Sequence, residues 1–477
     1  MTKNTLATSL TSLLAIAAFA AAGTASGAGR FESLWPQAVN DGIDARIEKF
    51  RKADWRGDGF PAGGEIRIDQ IASAFHVGCN LFNFDQLGDE AQNAEYKSAF
   101  SEDGLFDAAT IPFYWDAMEP VQGKIRYTAG ERDNPEFWKS FLKERGVVRH
   151  TDPDCPWEWR RPSPDRLIEF CERNGIAMHG HGLIYPYYHP QWVKLAGDRD
   201  AVEPLFEKRI YDIATYYRDR IPQWDVVNES VNRKTSIENP DDDICWEKPD
   251  LIVPWDYTYK AYALAARLFP SNVKLVINDS WREIYPPFVK SLMRRGAKID
   301  VVGLQMHIFS DKEAYRISKG EPCVANGTSW RVEDQIDMLK KLDLCGKKPI
   351  HLSEVTIPSP RSVAGLSREE ADEIQARMIR DNFRLWFSWP SIYRITYWNL
   401  VDSVGGEILC SGFYNRDMTK KPAYFALREL VRDEWRTHLV TKADATGALA
   451  FRGFRGRYRL SWTDENGKPA TRIVEVK

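Results

Sequence analysis

The sequence has no pair of cysteines at C-x-x-C spacing, although it contains 7 Cys among 477 residues. Neither a zinc ribbon nor a thioredoxin-like redox motif is therefore expected. A basic excess is also missing: 65 Lys and Arg stand against 68 Asp and Glu, a formal charge of −3. That balance argues against a nucleic-acid surface, and the lack of a long like-charge run argues against an interaction tail. Past the amino-terminal leader no apolar stretch approaches the roughly 18 residues of a membrane span. No Gly-rich turn follows the first strand pattern, which disfavours a doubly wound sheet. Internal repeats and low-complexity linkers are absent as well.

What is present suits a large folded chain. Hydrophobic residues make up 43%, enough for a sizeable core, and the length fits one large barrel with small appendages. The 17 Trp and 19 Tyr would suit a surface that stacks on flat ligands such as sugar rings. Lys3, the apolar run Leu13 to Ala22 and the small residues Gly23 to Gly29 form a secretory leader, residues 1–28, with cleavage expected around Ser26 to Ala28. A secreted or periplasmic monomer is expected, with no membrane attachment once the leader is removed. In such a compartment some cysteines would pair, and the odd count leaves at least one unpaired within the chain.

A lead-in occupies residues 29–71. Ile43, Ile47 and Phe50 share one helical face, and Ile66, Ile68 and Ile71 mark a short strand. From residue 72 to 436 a rhythm repeats, in which a short apolar run ends in polar residues and a helical pattern follows. The runs are Ala74–Asn80, Ala109–Phe113, Ala177–Gly180, Gln223–Val227, Lys274–Ile277, Val301–Gln305, Pro349–Ser353 and Arg394–Trp398. Eight alternations of strand and helix predict an α/β fold, a (β/α)8 barrel. Residues 437–477 differ. Turn signals at Asp444–Gly447 and Asp464–Gly467 flank the alternating Tyr458, Leu460 and Trp462, predicting a small β unit docked on the barrel.

Function in such a barrel collects at the carboxyl ends of its strands. The fourth run ends Trp224-Asp-Val-Val-Asn228-Glu229, and the seventh ends His351-Leu-Ser-Glu354-Val-Thr356. These two glutamates would face each other across the barrel mouth. Cleavage of a glycosidic bond needs such a pair, one acid for the leaving oxygen and one carboxylate for the anomeric carbon.

These motifs resemble glycoside hydrolase family 10, the endo-β-1,4-xylanase family. Trp224 to Glu229 is similar to its W-D-V-V-N-E signature, and Gly303-Leu-Gln305-Met-His307 to its G-L-Q-x-H. Gly180-His181 with Pro190-Gln-Trp192-Val resembles its strand 3 pattern. Asn278-Asp279, Trp398 to Ser403 and Lys421-Pro-Ala-Tyr424 match further positions, so the likeness covers about residues 70 to 435. The resemblance implies a retaining endo-1,4-β-xylanase acting on xylan, with no cofactor. It implies Glu229 as acid/base and Glu354 as nucleophile. Asn228 and His181 would contact the sugar before the cleavage point. Trp398 would form that sugar's floor, and Gln305 and His307 would support the nucleophile.

Departures from the pattern sit on strands 2, 3 and 7. The family's E-N-x-x-K is replaced by a stretch from Thr110 to Tyr114, while the following Trp115…Glu119-Pro120 survives. His179 stands where the family has Arg, Tyr185-Pro186 where it has Trp-His, and Thr356 where it has Asp. Tyr114 and Tyr185 are therefore candidate sugar contacts of a different kind. A decorated xylan or another β-linked polysaccharide would suit the altered pocket, and a barrel that binds sugar without cutting it is the non-enzymatic alternative. A second enzymatic alternative is a metal-dependent hydrolase. His179 and His181 lie on one face of a strand, and further ligands would have to come from His307 and Asp402.

Overall fold

A computed structural model of the chain describes residues 31–128, 162–231, 252–402 and 410–477. The leader, Cys155, Cys245 and Ser403 lie outside the described residues. The five described cysteines are all free thiols. Among the described residues no helix is long and apolar enough to cross a membrane.

Two strands precede the barrel, β1 (Lys52–Gly57) and β2 (Glu65–Ser73). The barrel strands are β3 (His76–Asn80), β4 (Ala108–Pro112), β5 (Ala177–His181), β6 (Gln223–Asn228), β7 (Lys274–Ser280) and β8 (Val301–His307). A two-residue hairpin follows, β9 (Val324–Ala325) and β10 (Thr328–Ser329), and then the last two barrel strands, β11 (Ile350–Thr356) and β12 (Ile392–Tyr397). All eight barrel strands pair in parallel and close on themselves as β3-β4-β5-β6-β7-β8-β11-β12. Each contains or overlaps one of the apolar runs. These strands are buried on both faces, so the polar side chains they carry, Asp225, Asn278, His351 and Glu354 among them, are buried as well.

The helices between them have local causes. Helix Pro164–Asn174 starts with proline at its first position and stops where Gly175 takes φ +64°, a left-handed cap that glycine adopts without strain. Helix Arg368–Ser388 opens with a capping box in which Ser367 and Glu370 satisfy each other's backbone N–H.

The lead-in departs from its expected helix-then-strand form. Helix Gln37–Arg51 buries Ile43 and Ile47, but Phe50 is only half-buried, and the chain passes directly into β1. In Lys52–Gly57 only Ala53 and Trp55 alternate with charged residues, and both pack against the core of the tail. The strand exists because it pairs antiparallel with β14 (Leu449–Phe454) in the tail. The tail's other strands are β13 (His438–Lys442), β15 (Gly456–Thr463) and β16 (Pro469–Val476). They form a four-stranded sheet ordered β13-β2-β15-β16, so β2 lies inside a sheet whose other strands all come from the tail. Phe60, Ile66, Ile68, Phe451, Tyr458 and Leu460 make a core of its own. The turn signals hold as expected: Asp444 Oδ1 and Asp464 Oδ1 each cap backbone N–H groups of their own turn.

Candidate active site

Irregular backbone precedes both glutamates. The β6–β7 register shifts between Asp225 and Val227, and the β11–β8 register shifts between Leu352 and Glu354. Such bulges re-aim side chains. On β11 the effect is direct: the consecutive residues Ser353 and Glu354 both reach Asn278 on β7, which a regular strand would forbid. Glu229 leaves β6 in a left-handed conformation, φ +54°, held by its N–H donating to the Asn278 carbonyl at 2.8 Å. A non-glycine residue there marks strain that the surroundings must hold.

The carboxylates converge on one amide. Gln305 Nε2 donates to Glu229 Oε1 at 3.2 Å and to Glu354 Oε1 at 3.0 Å. The two oxygens can therefore be no further apart than about 6.2 Å, the two bonds laid end to end. Gln305 Nε2 also reaches Asn228 Oδ1 at 3.3 Å, and Asn278 Nδ2 donates to that same oxygen and to Glu354 Oε1, both at 2.8 Å. With Asn228 Oδ1 doubly bonded, its Nδ2 is left as the donor for a ligand.

The two glutamates differ in surroundings. Burial, then the nearby Glu354, push the Glu229 carboxyl above its ordinary pKa, against the hydrogen bonds from Gln305 and Tyr185. The Tyr185 hydroxyl donates to Glu229 Oε1 at 2.9 Å. Glu354 is buried, and His307 Nε2 lies 3.4 Å from its Oε2. The other His307 nitrogen, Nδ1, donates to Thr356 Oγ1 at 2.8 Å, because that hydroxyl's own proton goes to the Trp398 carbonyl at 2.8 Å.

A second network supports the floor. Asp225 Oδ2 accepts from His179 Nε2 at 2.8 Å and from His181 Nδ1 at 2.7 Å. Burial would raise the Asp225 carboxyl, yet the two imidazoles outweigh it and hold it at about 2. Gln223 Nε2 donates to His179 Nδ1 at 2.9 Å and so fixes which nitrogen of His179 carries the proton. Burial keeps His179 below its ordinary pKa. At His181 burial is outweighed by Asp225, Glu354 and Glu229, and the pKa is raised. His181 Nε2 is buried and has no partner, while its ring packs edge-to-face on Tyr114 and Trp398.

These three side chains are the one group among the described residues with metal-ligand donors within 4.8 Å of one another. The further ligands expected for a metal centre are not with them. His307 sits between Glu354 and Thr356, and Asp402 is tied to Lys421 at 3.1 Å and Arg361 at 3.2 Å. Both histidines hydrogen-bond the same Asp225 oxygen, which ties the three together beneath the cleft.

A cleft of about 780 Å³ opens over this floor. Eight of the nine residues expected at the site line it: Glu229, Glu354, Asn228, Gln305, His307, Trp398, Tyr185 and Tyr114. His181 lies just beneath. Tyr114 stacks on Tyr188, ring centroids 4.4 Å apart, and Phe82 meets Trp398 edge-to-face at 4.7 Å. Asn278 matches the family pattern just after the fifth apolar run but carries no expected role, and Tyr188, Arg282, Phe309 and Asn326, which reach the cleft from outside the barrel strands, have no expected place in the site.

The chain matches the model described as glycosyl hydrolase family 10 over residues 115–430, starting just past the strand 2 stretch that departs from the pattern. An anti-sigma-I factor of Acetivibrio thermocellus is 23% identical over 338 residues, 69% of this chain and 37% of that protein. Endo-1,4-beta-xylanase A of Thermotoga neapolitana is 25% identical over 290 residues, 57% of this chain and 25% of that one. The chain thus spans well under half the length of these two relatives. The crystal structure of native xylanase 10B from Thermotoga maritima shares the fold, with a TM-score of 0.55 and 18% identity over 76% of this chain and 96% of that one. With two thirds of its length matched by the family model on a closed eight-stranded barrel, this chain belongs to glycosyl hydrolase family 10.

Proposed function

We propose that this protein is an exported glycoside hydrolase that cuts the backbone of xylan, a β-1,4-linked chain, by a retaining two-step mechanism. The observation that carries the reading is the convergence of Glu229 and Glu354 from opposite strands onto one Gln305 amide. Their bound of about 6.2 Å falls short of the spacing of roughly 6.5–9.5 Å that leaves room for a water in inverting enzymes, and supports the closer pair of a retaining one.

In this mechanism Glu354 attacks the anomeric carbon while Glu229 gives its proton to the leaving glycosidic oxygen. The covalent glycosyl-enzyme is then hydrolysed by a water from which Glu229, now the base, takes a proton. The raised pKa of Glu229 suits the first step, which needs a proton near neutrality. Gln305 and Asn278 hold Glu354 in line for attack, Asn228 Nδ2 and His181 Nε2 offer hydrogen bonds to the sugar at the cleavage point, and Trp398 with Tyr114 walls it. Glu229→Gln should lower kcat by about 10²–10⁴-fold, and Glu354→Gln by at least as much, with the thermal unfolding of both kept near wild type. Product release from glucuronoxylan, arabinoxylan, mixed-linkage glucan and mannan, measured side by side, tests the substrate. Silence on both xylans from folded protein would overturn the xylan assignment.

The replacement of the E-N-x-x-K stretch by Thr110 to Tyr114 favours one second reading, a barrel that binds saccharide without cutting it. Saccharide binding with no bond cleavage over long incubation would select it.

A further inference from the structure

The strands carrying Glu229 and Glu354 divide the barrel mouth into two arcs. One arc, from β12 through β3 and β4 to β5, presents aromatic and neutral groups: Trp398, Tyr114, Tyr185 and the buried His181. By the reading above, this arc holds the sugar that is attacked. The other arc, β7 and β8 with the hairpin beyond, faces the leaving side and is built differently.

We propose that this second arc is a subsite for an acidic sugar unit, in which Arg282 takes the carboxylate of a uronic acid side group and Phe309 carries a sugar face. The inference rests on the hydrolase reading for the direction of the chain, and it narrows the substrate to a glucuronic acid-bearing xylan.

Arg282 is the one Lys or Arg among the described residues that line the cleft. It is half-buried, and no described carboxylate pairs with it. Asp279, the buried carboxyl on which Arg282 acts electrostatically, is committed elsewhere. The Asp279 carboxyl is fully buried and accepts from the N–H groups of Val231 and Ser280, each at 2.8 Å. Burial first, and Glu229 second, push that carboxyl up to about 8, so near neutrality it does not cancel the guanidinium. A neutral hydroxyl accepts one N–H from such a group and leaves its charge uncompensated. A guanidinium fork, by contrast, matches the two oxygens of a carboxylate. The whole chain, at −3, does not draw in an acidic polymer, so recognition of the acid must be local.

Phe309 supplies the second half. Its ring is 47% exposed at the cleft edge and lies nearly parallel to His307, with centroids 4.7 Å apart at 20°. One face is thus held and the other is open. A large apolar ring kept exposed beside polar groups marks a ligand surface rather than a core. Asn326, exposed at the tip of the β9–β10 hairpin, adds an amide to the same arc.

Calorimetric titration of the wild-type protein with a glucuronosyl xylotriose and with neutral xylotetraose tests the subsite. The acidic ligand should bind about tenfold tighter, the scale of one charge-assisted hydrogen bond. Arg282→Gln should bring the ratio near one, Arg282→Lys should keep part of it, and Phe309→Ala should weaken both ligands. Equal binding of the two by wild type, or a preference that survives Arg282→Gln, would overturn the proposal. Cleavage of linear xylan, run in parallel, reports separately on the hydrolase reading. Cleavage without acid preference removes the subsite alone, and preference without cleavage removes the hydrolase alone.

Discussion

Glu229 is held between influences of opposite sign. Burial and Glu354 raise its pKa, and the donors Tyr185 and Gln305 lower it. In the proposed mechanism Glu229 acts as general acid while protonated, so activity should fall as pH rises through this pKa. Tyr185→Phe removes a donor that favours the ionised form, so the pKa rises further and the alkaline limb of kcat/KM should move to higher pH. A pH–rate profile on a linear xylo-oligosaccharide checks this, and a downward shift would show that Tyr185 acts otherwise. Both carboxylates were legible in the sequence because each follows an apolar run at a strand end. The setting of Glu229 was not, since Tyr185 lies 44 residues away and Gln305 76 residues away.

Within the elements, the site depends on how closely β7 and β8 approach. Gly303 on β8 is opposite Asn278 on β7. A Cβ at Gly303 would come within 2.8 Å of the Ile277 carbonyl and 2.9 Å of Asn278 Oδ1, closer than real contacts allow. Asn278 bonds Asn228 and Glu354, so Gly303→Ala displaces the carboxamide that aligns both. The expected result is a fall in kcat of about 10-fold or more and a modest loss of stability from overpacking, roughly 1–3 kcal/mol. Steady-state kinetics with a thermal melt separate the two effects, and unchanged kcat would show that the strands can move apart without harm. The strands themselves were visible as runs of apolar residues. The bulges that re-aim Ser353 and Glu354 were not, because a bulge is a mismatch between two strands and leaves no period in either.

For the whole molecule, the amino-terminal segment and the tail complete each other. β1 pairs with β14, and β2 pairs with β13 and β15. Arg51, at the end of the first helix, also donates to the carbonyls of Phe387, Trp389 and Ile392, joining this segment to the barrel. Deleting residues 437–477 would therefore strip β2 of both neighbours and open the core around Ile66 and Ile68. The expected outcome is aggregation through the bared strand, or a melting temperature lower by about 10 °C or more. Soluble protein melting within a few degrees of the full chain would instead make the tail a separable module.

The sequence by itself determined the barrel class, through eight alternations of apolar run and helical pattern, and it marked the two glutamates by their places at the ends of the fourth and seventh runs. Both are local properties that periodicity can carry. Only the tertiary structure decided which groups share a hydrogen bond. It brought Gln305 between the carboxylates, tied His179 and His181 to Asp225, wove the first two strands into the tail, and set Phe309 and Arg282 on one cleft. Those outcomes depend on loops and bulges that bring distant parts of the chain together, and no spacing within one segment encodes them.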